Sequence, residues 1–307
     1  MTAGGARARA AVGAGLVLAL ACHAATDADA KPVTVTDLLA DSPAQDWRTP
    51  DPDDLLYLQL PSGRVVIELA SRVAPQHVAN IKKLARAHYF DGLAIVRVQD
   101  NYVVQWNDPE HRRPVPAGVG KAVEFTAEAN ANARFEPLAD RDAYAPEVGF
   151  LDGFPAARDP RSHTVWLAHC YGMVGAGRDN DVDSGGGTEL YVVIGQAPRH
   201  LDRNVTLLGR VVSGMELLSV LPRGSGRLGR YERAEQYVPV SSVRVAADVP
   251  PQQRTNLAVL RTDTPTFLAY LEARRNRRED WFKVPAGRVD VCNVPVPVRP
   301  VSGSAAK

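Results

Sequence analysis

The chain has 307 residues, 45% of them hydrophobic and 23% charged, which are the proportions of a folded globular protein and exclude wholesale disorder. Against 35 Asp and Glu stand 36 Lys and Arg, a formal net charge of +1, so there is no electrostatic case for nucleic acid or an anionic membrane as the principal partner. Aromatic residues at 7% likewise exclude a stacking platform for single strands.

The first 30 residues read as a signal peptide: Arg7 and Arg9, an apolar stretch from Ala10 to Ala21, then small residues with candidate cleavage motifs Ala19-Leu20-Ala21 and Ala28-Asp29-Ala30. The apolar run is too short for an ordinary transmembrane helix, and no later segment qualifies, so a periplasmic or secreted protein is expected. Cys22, after Leu20-Ala21, admits a lipid anchor through a box that is imperfect at Ala19. If Cys22 leaves with the signal, Cys170 and Cys292 remain; they either pair or stay separate, and the sequence leaves both open. No CxxC pair or Cys/His cluster suggests a metal, and no cofactor is expected.

Residues 31–53 are Asp-, Ala- and Pro-rich and read as a flexible linker. Asp54–Leu60 and Val65–Ala70 read as strands joined by the turn Pro61-Ser62-Gly63. Pro75 opens a helix whose apolar face is Val78, Ile81, Leu84 and Ala85, with Lys82, Lys83 and Arg86 opposite. Short strands follow at Leu93–Val98 and Tyr102–Gln105. The stretch 109–161 reads as a long irregular insertion. Strand patterns return at Thr164–Ala168, Leu190–Ile194, Val205–Val212 and Val240–Val245, with a short helix at Met215–Leu221. Residues 247–307 form an extension with one helix, started by Thr264-Pro265 and striped by Phe267, Leu268 and Leu271. Its basic end, Arg274, Arg275, Arg277 and Arg278, complements the helix dipole. Val291–Arg299 alternates with prolines and can be only an edge strand or an extended tail. Many short strands and few helices argue for a mainly β fold, without choosing between barrel and sandwich.

Three blocks go further. Tyr89-Phe90-Asp91-Gly92, Arg97-Val98, Tyr102 and Gln105-Trp106-Asn107-Asp108 resemble the cyclophilin pattern Y-[YF]-D-G-x-x-F-H-R-V-x-x-x-F-x-x-Q-x-G-D. Gly187-Thr188-Glu189-Leu190-Tyr191-Val192-Val193-Ile194, then Leu201-Asp202 and Gly209-Arg210-Val211-Val212-Ser213-Gly214-Met215, are similar to that family's G-S-Q-F-F-I … L-D-G … F-G-x-V-x-x-G-M. Ala74-Pro75, Val78 and Asn80 match its A-P-x-x-V-x-N. The resemblance spans residues 54–246 and implies a closed eight-stranded antiparallel barrel capped by two helices.

It also implies a chemistry. A prolyl amide resists rotation because resonance stiffens its C–N bond, with a barrier of about 18–20 kcal/mol. Its isomers differ by only about 0.5–1 kcal/mol, so no energy source is needed. A catalyst must favour the twisted amide, and a fixed guanidinium donating to its nitrogen or carbonyl would do so. By the resemblance Arg97 is that catalytic arginine and Gln105 orients it. Tyr102, Val103, Tyr191 and Leu201 form the proline pocket, beside Glu189 and His200, while Ala168 and His169 contact the peptide backbone. Proline-containing polypeptides are the implied partners.

The match has departures. Glu189 stands where the family has glutamine and is expected to pair with Arg97 and compete with substrate. Tyr102 and Tyr191 replace phenylalanines and bring hydroxyls that need partners. His200 replaces the pocket tryptophan, Val205 the pocket histidine, and Trp106 places a large ring where a rim glycine is usual. Asp179-x-Asp181-x-Asp183 has Ser184 in place of the glycine of a calcium loop and reads as a solvated turn. Two functions therefore stand: an isomerase assisting exported proteins to fold, and a peptide-binding module on the same scaffold that turns nothing over.

Overall fold

The computed structural model describes residues 1–2, 34–110, 112–129 and 134–301. The chain divides into Met1–Pro32 and Val33–Lys307, and every element below lies in the second unit. Beyond its first two residues, the expected signal peptide falls outside the described residues, Cys22 included.

In chain order the elements are α1 (Val35–Ala40), β1 (Trp47–Arg48), β2 (Leu55–Leu60), β3 (Gly63–Leu69), α2 (Pro75–Arg86), β4 (Ala94–Val98), β5 (Val103–Asn107), β6 (Ala127–Glu128) and β7 (Phe135–Pro137). There follow β8 (Glu147–Leu151), β9 (Phe154–Asp159), β10 (Thr164–Leu167), β11 (Met173–Ala176), β12 (Leu190–Val193), β13 (Leu207–Ser213) and α3 (Met215–Ser219). The last are β14 (Val238–Pro239), β15 (Ser242–Val245), β16 (Leu257–Leu260), α4 (Pro265–Arg275) and β17 (Val298–Pro300).

The main sheet has nine strands in the order β14-β4-β5-β12-β11-β13-β3-β2-β15. This corrects the expected closed eight-stranded barrel. The sheet curls until one chain segment supplies both edges, β14 pairing with β4 and β15 with β2. Among the described residues no ladder joins β14 to β15, and Val240 and Ser241 between them donate their N–H groups to the Leu93 and Gln59 carbonyls. The concave face holds the main core, with Leu58, Ile67, Ile95, Val104 and Trp106 packed against α2. That helix begins at Pro75 as expected and buries Val78, Ile81, Leu84 and Ala85. Its free N-terminal N–H groups are met by the Glu124 carboxylate, which accepts from Gln76 at 2.8 Å and His77 at 2.9 Å.

Two regions are more ordered than their composition suggests. The stretch expected as a linker contains, from residue 34, a capped helix and β1, which pairs with β16. Residues 109–161, expected to be irregular, supply four strands of a second sheet, β6-β10-β9-β8-β7. Its core is Phe150, Trp166 and Val165 packed on Phe267, Tyr270 and Val291 of the C-terminal extension. That extension contributes α4, capped by Thr264 as expected, and β17, an edge strand of the sheet β1-β16-β17. Cys170 and Cys292 form a disulfide that closes this accessory lobe.

Candidate active site

The candidate residues lie on the face of the main sheet turned away from the core. On β5 and β12, Val104, Trp106, Leu190 and Val192 face inward, so Val103, Gln105 and Tyr191 face outward by the two-residue period of a strand. Arg97 breaks that parity on β4. Ile95 pairs with the inward Trp106, and a residue two further along would face inward too. The register shifts between Ile95 and Arg97, with Val96 as the extra residue. This bulge rotates Arg97 onto the outer face opposite Gln105. Trp106, by contrast, is fully buried in the core and does not reach the rim, which corrects the expectation for it.

The outward residues line a cleft of about 810 Å³. It brings together seven residues named from the sequence: Arg97, Tyr102, Val103, Gln105, Glu189, Tyr191 and Leu201, with Val205 beside them. The Arg97 guanidinium is held on three sides. Its Nη1 donates to Gln105 Oε1 at 2.8 Å, its Nε to the Leu228 carbonyl at 2.6 Å, and its Nη2 to Gln99 Oε1. Burial pulls its pKa below the ordinary arginine value; Arg230 adds to this, while Tyr102 and Glu189 oppose it. The group remains a cation. Burial also raises the Tyr102 hydroxyl, against the nearby Arg97, whose Cζ lies 5.6 Å from the ring centre.

Glu189 does not pair directly with Arg97. Gln105 stands between them, its Nε2 donating to Glu189 Oε1, while Asn107 Nδ2 donates to Oε2 at 2.6 Å. A carboxylate can only accept, so it fixes the Gln105 amide with its oxygen toward Arg97. The expected competitor of the substrate instead stands behind Gln105 in an Arg97–Gln105–Glu189–Asn107 chain. Two glycines make this geometry fit. A Cβ on Gly177 would lie 2.6 Å from Glu189 Oε1, and one on Gly175 would lie 2.3 Å from the Tyr191 ring.

Three residues named from the sequence lie elsewhere. Ala168 and His169 follow β10 of the accessory sheet and are fully buried. On the side of β12 away from β5 runs β11, whose Gly175 pairs with Tyr191 and leads to Gly177 at the cleft. His169 lies behind the cleft, its Nε2 2.9 Å from the Tyr191 hydroxyl. His200 is exposed and lies flat to Tyr102 at 6.5 Å between ring centres, outside the cleft wall. Gly177, Arg178, Asp179, Asn180 and Asp181, which are not among the site residues named from the sequence, form one wall. The signal available was the pairing of small residues with large ones across β11 and β12. The Asp179–Asp183 turn is closed by Ser184, whose hydroxyl accepts from the Asp179 N–H at 2.9 Å. Among the described residues no three His, Cys, Asp or Glu side chains converge as a metal site would need, and no helix is long and apolar enough to cross a membrane.

Comparison with known proteins identifies the family. The family model described as cyclophilin type peptidyl-prolyl cis-trans isomerase matches residues 55–245. A probable peptidyl-prolyl cis-trans isomerase of Brucella suis is 25% identical over 57% of this chain and 74% of its own length. The human peptidyl-prolyl cis-trans isomerase-like 1 is 25% identical over 69% of this chain and 99% of its own. A crystal structure of a cyclophilin from Hirschia baltica superposes with a TM-score of 0.69 at 26% identity, covering 86% of this chain and 96% of that one. That coverage exceeds the stretch matched by the family model, so the likeness extends into the accessory lobe.

Proposed function

This chain belongs to the cyclophilin-type peptidyl-prolyl cis-trans isomerase family, and from that premise we propose that Arg97 stabilises the twisted prolyl amide in the cleft and that the natural substrates are exported polypeptides. The observation that carries the reading is the placement of Arg97. A bulge turns it outward, Gln105 holds it, and it stands beside the apolar wall of Tyr102, Val103, Tyr191, Leu201 and Val205. A proline ring fits such a wall. Its amide then meets the N–H groups that Arg97 does not spend on Gln105, Gln99 and Leu228, one on each terminal nitrogen. Those donors are fixed before the substrate arrives, so they favour the transition state at no cost in reorganisation.

Export is supported by the signal-like N-terminus and by the disulfide, which persists in an oxidising compartment. The test is exchange spectroscopy on a short Xaa-Pro peptide with the mature protein. Accelerated exchange supports the reading, and an unaltered rate with a folded protein contradicts it.

One observation favours a second reading. Arg97 already has three protein acceptors, as a purely structural arginine would. A peptide-binding module without turnover would bind the same peptide and leave its isomerisation rate unchanged.

A further inference from the structure

Behind the proline wall runs a chain of charged and polar side chains that reaches the accessory lobe. Tyr191 lines the cleft with its ring, while its hydroxyl points inward to His169 Nε2 at 2.9 Å. His169 Nδ1 lies 2.8 Å from Asp202 Oδ1, and that same oxygen accepts the His169 backbone N–H at 3.0 Å. Arg199 Nε donates to Asp202 Oδ2 at 2.6 Å. The other end of Arg199 is clamped by Asp142, with Nη1 at 2.9 Å and Nη2 at 3.1 Å. Asp142 belongs to the loop between β7 and β8. Side-chain exposures along the chain are 0% for His169, 5% for Asp202, 3% for Arg199 and 2% for Asp142. This is too closed an arrangement for substrate to touch.

Donor and acceptor rules decide the protons. The Asp202 carboxylate only accepts, so His169 Nδ1 carries hydrogen. Burial disfavours the imidazolium and depresses its pKa against the pull of Asp202, which leaves Nε2 as an acceptor. The Tyr191 hydroxyl must then donate to Nε2, away from the cleft. The ring lies against Gly175, where a side chain would collide with it.

We propose that His169, oriented by Asp202, is a positioning residue that anchors the Tyr191 hydroxyl and so presents the tyrosine ring face to the proline of the substrate. This rests on the cleft being the isomerase site. It also explains how a tyrosine serves where the family uses phenylalanine: its polar atom is satisfied behind the wall. The ring packs on proline in ground state and transition state alike, so its loosening affects binding more than turnover.

The experiment has two arms on the intact mature protein. In the first, nitrogen-15 NMR of the imidazole assigns the His169 tautomer. The expected result is Nδ1–H with bare Nε2; an imidazolium or the opposite tautomer overturns the proposal whether or not the protein turns over peptide. In the second, Xaa-Pro isomerisation is measured for wild type, Arg97→Ala, His169→Phe, Tyr191→Phe and the His169→Phe/Tyr191→Phe double variant. His169→Phe is expected to raise KM about tenfold with kcat nearly unchanged, and Tyr191→Phe to rescue it, because no hydroxyl is then left unpartnered. An unchanged KM, or a loss that Tyr191→Phe does not rescue, overturns the proposal. An inactive wild type instead counts against the isomerase reading, and the tautomer then decides the anchoring.

Discussion

The two sheets of this molecule are built on different rules. In the nine-stranded sheet, β5 and β12 alternate between a core face and a cleft face, and each position has one job. Burial does not separate the two, since every residue of β5 and β12 and four successive residues of β8 and of β9 are buried; what differs is that no strand of the five-stranded sheet lines the cleft. The first sheet places chemistry on one side. The second is a buttress, held by α4, by the Cys170–Cys292 disulfide and by the Asp142–Arg199 pair that reaches behind the cleft. The difference is one of placement: the accessory lobe reaches the cleft from behind, through Asp142, Arg199, Asp202 and His169.

The largest expected effect comes from breaking that link. Asp142→Ala leaves Arg199 buried with only Asp202, which should cost about 3–5 kcal/mol in denaturant unfolding. A loss below about 1 kcal/mol would mean that the two sheets are energetically separate. Leu84→Ala, which opens a cavity under α2 in the main core, should cost about 2–5 kcal/mol in the same measurement. Cys292→Ser removes the covalent tie of the accessory lobe and should cost about 2–4 kcal/mol while leaving peptide turnover near that of the wild type. Lost turnover there would show that the lobe shapes the cleft more directly than proposed.

Acid sharpens the comparison. His169 has a folded pKa below its ordinary 6.5, because burial outweighs its contact with Asp202. The unfolded chain therefore takes up this proton first, and stability declines as pH falls below about 6.5. Asp202, lowered because His169 and Arg199 outweigh its own desolvation, adds a further loss below the carboxylate range. Thermal melts from pH 8 to pH 3 should show both stages, and His169→Phe should remove the upper one. The smallest effect is expected for Glu189→Gln, which frees the Gln105 amide to turn. The loss in kcat/KM should correspond to one hydrogen bond, about 0.5–1.5 kcal/mol.

The same contrast explains what was legible. The β2–β3 hairpin, α2 and the cap of α4 follow from local signals: a turn, an apolar stripe behind proline, and Thr264 before Pro265. Arg97, Gln105 and the residues of the apolar wall are named from motif spacing, although their shared face depends on a bulge that no local pattern announces. The accessory sheet is hidden because Pro155 and the pair Ala156-Ala157 in β9 read as loop. Ala168 and His169 are named for the substrate because the resemblance matches them to a small pair that contacts the peptide backbone. Beside the cleft stand instead Gly175 on β11 and Gly177 just past it, where glycine is needed for the close approach of Tyr191 and Glu189. The wall at Arg178–Asp181 looked like a solvated turn because its neighbours are distant in sequence.

The measurement that reaches the central claim most directly is a pair of readings on Arg97→Ala: the affinity for an Xaa-Pro peptide and the rate at which that peptide isomerises. The expected result is binding close to that of the wild type with a rate lowered about 10²–10³-fold, as for the loss of a preorganised donor that acts on the transition state. A variant that binds and isomerises the peptide as well as the wild type would contradict the assignment of Arg97.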